Sequence, residues 1–205
     1  MSIKYILCFG DSNTWGYVPC SGFRYNEKER YPKILKELLG DNFKVVEEGR
    51  NARELLNLND DEINGYKDFE KTLNIFSSSD YIVLALGTND LNNENNKNGH
   101  DLIKIIDEKY LSLINRKCLK AKIILVAPPI INEDRLVGFT QFKGTSEKFK
   151  DINDIWKSFA KEKSIYFISN ENLDVGKDGV HFTIKTHEVL ANKIATLIKE
   201  IENKN

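Results

Sequence analysis

Short continuous apolar runs alternate along the chain with longer stretches in which apolar residues recur every three to four positions. The runs are 3–9, 43–46, 81–86, 122–127 and 165–168, and most of them run into Gly, Pro or Ser. Their length and their Ile, Val, Leu and aromatic content predict strands covered on both faces. Between them, Pro32 opens a helix carrying Ile34, Leu35, Leu38 and Leu39 that Gly40 stops. Leu102, Ile105, Ile106, Leu113 and Ile114 share one helical face, as do Phe149, Ile152, Ile155, Trp156 and Phe159. Val189, Leu190, Ile194, Leu197, Ile198 and Ile201 mark a last helix, and a weaker one is expected over 66–76. This βαβα rhythm predicts one α/β domain spanning 1–205, a parallel sheet with helices on both faces.

Two segments break the rhythm. The stretch 89–99 holds Asn89, Asn92, Asn93, Asn95, Asn96 and Asn98 and reads largely as a solvated loop. The stretch 130–144 is long and aperiodic, which suits a functional or mobile loop.

Composition narrows the function classes. The chain has 205 residues, 40% hydrophobic and 30% charged, with a formal net charge of −1. That is the profile of a soluble globular protein, with no basic excess to attract nucleic acid or an anionic membrane. The three cysteines, Cys8, Cys20 and Cys118, are odd in number and form no CxxC pair. Neither a disulfide framework nor a structural zinc site is expected, and no metal ligands stand out elsewhere. The apolar stretch 5–9 meets Gly10-Asp11 too soon for an export signal, and no run approaches the ~20 apolar residues of a membrane span. The expected compartment is the reducing cytoplasm.

Ligands of open parallel sheets bind beyond the carboxyl ends of the strands. Four motifs lie there: Gly10-Asp11-Ser12-Asn13-Thr14-Trp15-Gly16-Tyr17, Glu47-Glu48-Gly49-Arg50-Asn51, Gly87-Thr88-Asn89-Asp90-Leu91 and Asp178-Gly179-Val180-His181-Phe182. Their chemistry is complementary. Ser12 is a hydroxyl in need of a base, and His181 can be that base. Asp178, three residues earlier, can hold the imidazole Nδ1–H. The backbone N–H groups of Ser12 and Gly49 and the side-chain amide of Asn89 together make a three-donor oxyanion hole. This set needs no metal or organic cofactor.

These motifs, with Val126–Pro129 reading Val-Ala-Pro-Pro, resemble the SGNH (GDSL-type) hydrolase superfamily, and most closely its arylesterase/acyltransferase branch. The resemblance runs from Gly10 to His181 in the expected block order. It implies a flavodoxin-like three-layer α/β/α sandwich with a five-stranded sheet. It also implies hydrolysis or transfer of short acyl groups from a small-molecule ester through an acyl-enzyme on Ser12, and homo-oligomers. Two departures stand out: block I reads Gly-Asp-Ser-Asn rather than Gly-Asp-Ser-Leu, and Ala52 stands near where block II carries a second glycine. A thioesterase, lysophospholipase or carbohydrate deacetylase would use the same residues. A phosphate-binding flavodoxin-like domain without catalysis is the reading from another class.

Other residues receive narrower expectations. Asp11 should hold the nucleophile loop through backbone N–H groups, and Asp90 should fix loop geometry rather than react. Trp15 and Tyr17 either pack that loop onto the core or wall the substrate pocket. Arg53 is either a structural ion pair or a support for block II. His100 and His187 stand outside any motif and should face solvent or pack. Cys8 should be buried and inert, and Cys20 exposed. Specificity is assigned to 15–25 and 130–144, with 139–142 a contact or a lid.

Overall fold

The computed structural model describes residues 3–94 and 96–204, so Asn95 of the asparagine-rich stretch lies outside the described residues. Strands β1 (Lys4–Gly10), β2 (Phe43–Gly49), β3 (Tyr81–Ala85), β4 (Lys122–Val126) and β5 (Tyr166–Ile168) form one parallel sheet in the order β2-β1-β3-β4-β5. That is the flavodoxin-like strand order. All five predicted strands are present. β2 runs on past its apolar run through Glu47 and Glu48 to Gly49. The Arg30 guanidinium grips Glu47 through Nε (2.7 Å) and Nη2 (3.2 Å).

The helices are α1 (Ser12–Trp15), α2 (Tyr31–Leu39), α3 (Gly65–Ile75), α4 (Gly99–Ile105), α5 (Ser112–Lys117), α6 (Thr145–Lys148), α7 (Ile152–Glu162) and α8 (Ile184–Asn203). They cover the two faces of the sheet, and the period-2 alternation of β1 shows how. Ile6 and Cys8 pack with Tyr31 and Leu35 of α2 and with Leu190 and Ile194 of α8. Leu7 and Phe9 pack on the other face with Phe69 and Leu73 of α3, Tyr110, and Trp156 of α7. The helix expected across Leu102 to Ile114 is interrupted. A π turn at Ile106–Leu111 joins α4 to α5, with both Tyr110 and Leu111 buried. Among the described residues no helix is long and apolar enough to cross a membrane.

Local signals set the helix ends that matter for the site. Pro32 lies in the first turn of α2, and Gly40 ends it. Thr183 caps α8 by accepting Thr186 N–H at 3.1 Å, which fixes where the segment carrying His181 must stop. All four motifs reach the carboxyl rim of the sheet.

Candidate active site

The chain leaves β1 at Gly10 and turns at once into α1. Asp11 caps that single turn, its Oδ1 accepting Asn13 N–H at 2.9 Å. Ser12 therefore occupies the first helical position, where a backbone N–H has no partner inside the helix. Asp11 is buried, and burial raises its pKa against hydrogen bonds from Asn13 and Thr88 that lower it. This is the loop-holding role expected of Asp11.

Ser12 Oγ lies 2.9 Å from His181 Nε2, and His181 Nδ1 lies 2.8 Å from Asp178 Oδ2. Asp178 Oδ1 accepts the N–H groups of Val180 and His181, each at 3.0 Å, and Cys20 N–H lies 3.3 Å from Oδ2. Burial would raise the Asp178 pKa. The hydrogen bonds from the His181 ring and from the His181 and Val180 backbone outweigh it and hold the carboxyl below its ordinary value. An ionised Asp178 keeps the imidazole proton on Nδ1 and leaves the Nε2 lone pair facing Ser12. The three side chains are nearly closed off: relative exposure is 3% for Ser12, 4% for His181 and 0% for Asp178.

Asn89 begins a short 3₁₀ turn, Asn89–Leu91, after β3. Its Nδ2 donates to the Arg53 carbonyl at 3.0 Å, which leaves the second amide hydrogen for a ligand. Asp90 Oδ2 accepts Leu55 N–H at 2.9 Å, the loop-fixing role expected of it.

This geometry belongs to a known group. The GDSL-like lipase/acylhydrolase family matches the chain over residues 6–194. The chain is a member of that family. A carbohydrate acetylesterase from Sinorhizobium meliloti superposes with a TM-score of 0.88 at 26% identity, covering 97% of this chain and 99% of that one. An aryl esterase from M. smegmatis superposes with a TM-score of 0.84 at 26% identity, covering 96% and 99%. An acetylxylan esterase of Xylanibacter ruminicola is 26% identical over 211 residues, which is 95% of this chain. The chain spans only 43% of that relative's length.

Of the predicted residues, Ser12, His181 and Asp178 are brought together in one hydrogen-bonded chain, and Asn89 stands just past β3 with its amide on the Arg53 carbonyl. Gly49 does not present its N–H as expected. It lies in β2 opposite Gly10, and Arg50 N–H donates to the Gly10 carbonyl at 3.2 Å. In a parallel ladder that pattern turns the N–H of Gly49 away from β1, toward the free edge of the sheet. The lack of a side chain serves another contact. A Cβ at Gly49 would collide with the backbone of Thr14 and Trp15, so glycine lets α1 seat against β2. Ala52, where the family pattern carries glycine, adopts the left-handed conformation glycine would favour, with φ +59°.

Tyr17 stacks on His181, ring centroids 4.1 Å apart and planes 27° apart. Trp15 lies one ring further out, 6.4 Å from Tyr17, with the Arg24 guanidinium carbon 5.2 Å over it. Arg53 is a support. It is buried, donates to the carbonyls of Gly10 (2.8 Å) and Glu48 (2.6 Å), and pairs with Asp68 at 3.1 Å. Burial lowers its pKa, opposed by Asp68.

Asn13 carries no role in the sequence reading, and Phe139 enters it only as part of the 139–142 contact or lid. Asn13 Oδ1 accepts Phe182 N–H at 2.8 Å, and Phe139 places its ring edge-on to His181 at 5.3 Å. Both contacts depend on how distant loops come together. His100 is exposed and His187 is buried in the core. Cys8 is buried and Cys20 exposed, as expected.

Proposed function

We propose that this chain is a serine esterase that hydrolyses, or transfers, short acyl groups of small-molecule esters. The observation that carries the reading is the unbroken hydrogen-bonded chain Ser12–His181–Asp178 at the carboxyl rim of the sheet. Ser12 Oγ attacks the ester carbonyl as its proton passes to His181 Nε2. The negative oxygen of the tetrahedral intermediate is met by Ser12 N–H and the free hydrogen of the Asn89 amide. His181 then gives its proton to the leaving alcohol, and the acyl group stays on Ser12. Water, or another alcohol, loses a proton to the same imidazole and releases the acyl group. Ser12, Asp178 and His181 are the catalytic residues in this scheme.

The acyl group is small. Tyr17 and Phe139 flank the imidazole, and little of Ser12 is open to solvent. The names of two relatives, an acetylxylan esterase and a carbohydrate acetylesterase, favour acetate and an acetylated carbohydrate among the ester classes. Three unpaired cysteines favour a cytoplasmic location. A homo-oligomer is part of this reading, and nucleic acid and membrane are not.

Ser12→Ala tests it. The variant is expected to fold as wild type, to lose nearly all turnover of 4-nitrophenyl acetate, and to lose stoichiometric labelling by a fluorophosphonate. Undiminished turnover by Ser12→Ala would remove Ser12 from the chemistry. A wild-type protein that takes no label yet binds phosphate would be the non-catalytic flavodoxin-like domain instead.

A further inference from the structure

Asn89 and Asp90 grip one short stretch of backbone with adjacent side chains. Asn89 Nδ2 donates to Arg53 O at 3.0 Å, and Asp90 Oδ2 accepts Leu55 N–H at 2.9 Å. The same stretch is held at Leu55 O by the Tyr110 hydroxyl (2.7 Å) and at Leu56 O by Lys97 Nζ (3.3 Å). Tyr110 reaches it from the π turn that interrupts the helix between α4 and α5. The charged groups around Asp90 are Lys97, 3.5 Å from Oδ1, and Glu54, which Lys97 also faces at 4.0 Å.

Asp90 is wholly buried, and burial pushes its pKa up to about 7 against the Leu55 and Lys97 contacts. A carboxylate in that place is held against a desolvation cost that a neutral side chain would not incur. Its position says what it holds. The Asn89 amide can point one hydrogen at a ligand only while the other stays on Arg53 O. That carbonyl stays in place only while the stretch from Arg53 to Leu55 does. The Asp90–Leu55 bond closes the loop, two residues along from the first grip.

We propose that Asp90 is a positioning residue for the oxyanion-hole amide: by fixing Leu55 N–H it fixes the Arg53 carbonyl that orients Asn89. The inference rests on the esterase reading. Because the oxyanion exists only after attack, loss of Asp90 lowers kcat and leaves KM within about twofold. Because Asp90 acts through Asn89, its loss costs nothing further once Asn89 is gone.

The test is a double-mutant cycle on 4-nitrophenyl acetate, with Asp90→Ala, Asn89→Ala and the pair, each rate divided by Ser12 sites labelled at completion with a fluorophosphonate. Expected is a loss of about tenfold in kcat per labelled site for Asp90→Ala, and no further loss when it is added to Asn89→Ala. Should Asp90→Ala not accumulate as folded protein, Asp90→Ser is read in the same cycle, its hydroxyl one atom short of Leu55 N–H. An unchanged kcat per site, or the same factor lost in both backgrounds, overturns the inference, since a residue that merely supports the fold changes the number of labelled sites and not their rate. Wild-type protein with neither turnover nor labelling would instead refute the esterase reading beneath it.

Discussion

Asn13 follows the nucleophile, and its side-chain oxygen holds Phe182 N–H, so the residue after Ser12 is tied to the residue after His181. The Tyr25 hydroxyl lies 3.3 Å from Phe182 O, on the other side of the same residue. The 2.9 Å contact between Ser12 and His181 therefore does not rest on that bond alone. Asn13→Leu restores the residue that gives Gly-Asp-Ser-Leu enzymes their name, at similar volume, but leaves a buried N–H unpaired. A loss of about 1–3 kcal/mol is expected, together with a lower kcat as His181 shifts from Ser12. Urea denaturation and acetate-ester turnover check both, and wild-type values in both would leave Asn13 a spectator. Ser12 and Asn89 are legible as polar residues just past β1 and β3, and Asp178 and His181 as a closely spaced acid and imidazole ahead of the last helix. The sequence reading places Gly49 in the oxyanion hole, whereas its missing side chain accommodates α1. The pairing of Gly10 with Gly49 at the ends of neighbouring strands was the available clue.

At the scale of elements, the loop 130–144 and the Asp178–His181 segment behave as one body. Asn132 N–H donates to Gly179 O at 2.9 Å. Glu133 closes the loop on itself, accepting Gly144 N–H (2.7 Å) and Ser146 N–H (2.8 Å), and these bonds lower its pKa. Phe139, carried by this loop, reaches back to His181. Gly179 is the point of closest approach in the arrangement. It has φ +77°, and a Cβ there would run into the Asn132 carbonyl oxygen. Gly138 has φ +76° with open space around its Cα. Gly138→Ala should therefore cost only the left-handed strain, about 1–2 kcal/mol. Gly179→Ala should cost more in equilibrium unfolding, because contact is added to strain. Equal losses would mean that the loop yields freely at Asn132. None of this docking was readable from periodicity. The strands were, because burial on both faces leaves uninterrupted apolar runs. The π turn was not, because the apolar positions on either side of it fit one unbroken helical face.

Across the whole molecule, the sheet separates two buried ionisable groups with opposite responses to acid. The strand order itself was not readable from the rhythm of elements, which specifies layers but not neighbours. On the α2–α8 face, His187 is fully buried, with Nδ1 accepting Tyr31 N–H at 3.4 Å and its ring against Tyr25, Tyr31 and Phe182. Burial, then the charge of Arg30, lowers its pKa from 6.5 to about 3. The unfolded chain binds that proton first, so this stability is complete above pH 6.5 and is lost as pH falls toward 3. On the other face, burial raises Asp90 from 3.8 to about 7. Here the folded chain binds the proton more tightly, so stability is complete below 3.8 and is lost as pH rises through 7. Each group is worth on the order of 4 kcal/mol over its window, and between about pH 4 and 6.5 the two slopes oppose one another. Single substitutions should uncouple them. Relative to wild type, His187→Phe should gain in melting temperature as pH falls from 6.5 toward 3. Asp90→Asn should gain as pH rises from 4 toward 7. Scanning calorimetry across that range checks both, and variant profiles parallel to wild type would show that neither proton is held as the burial of these groups requires.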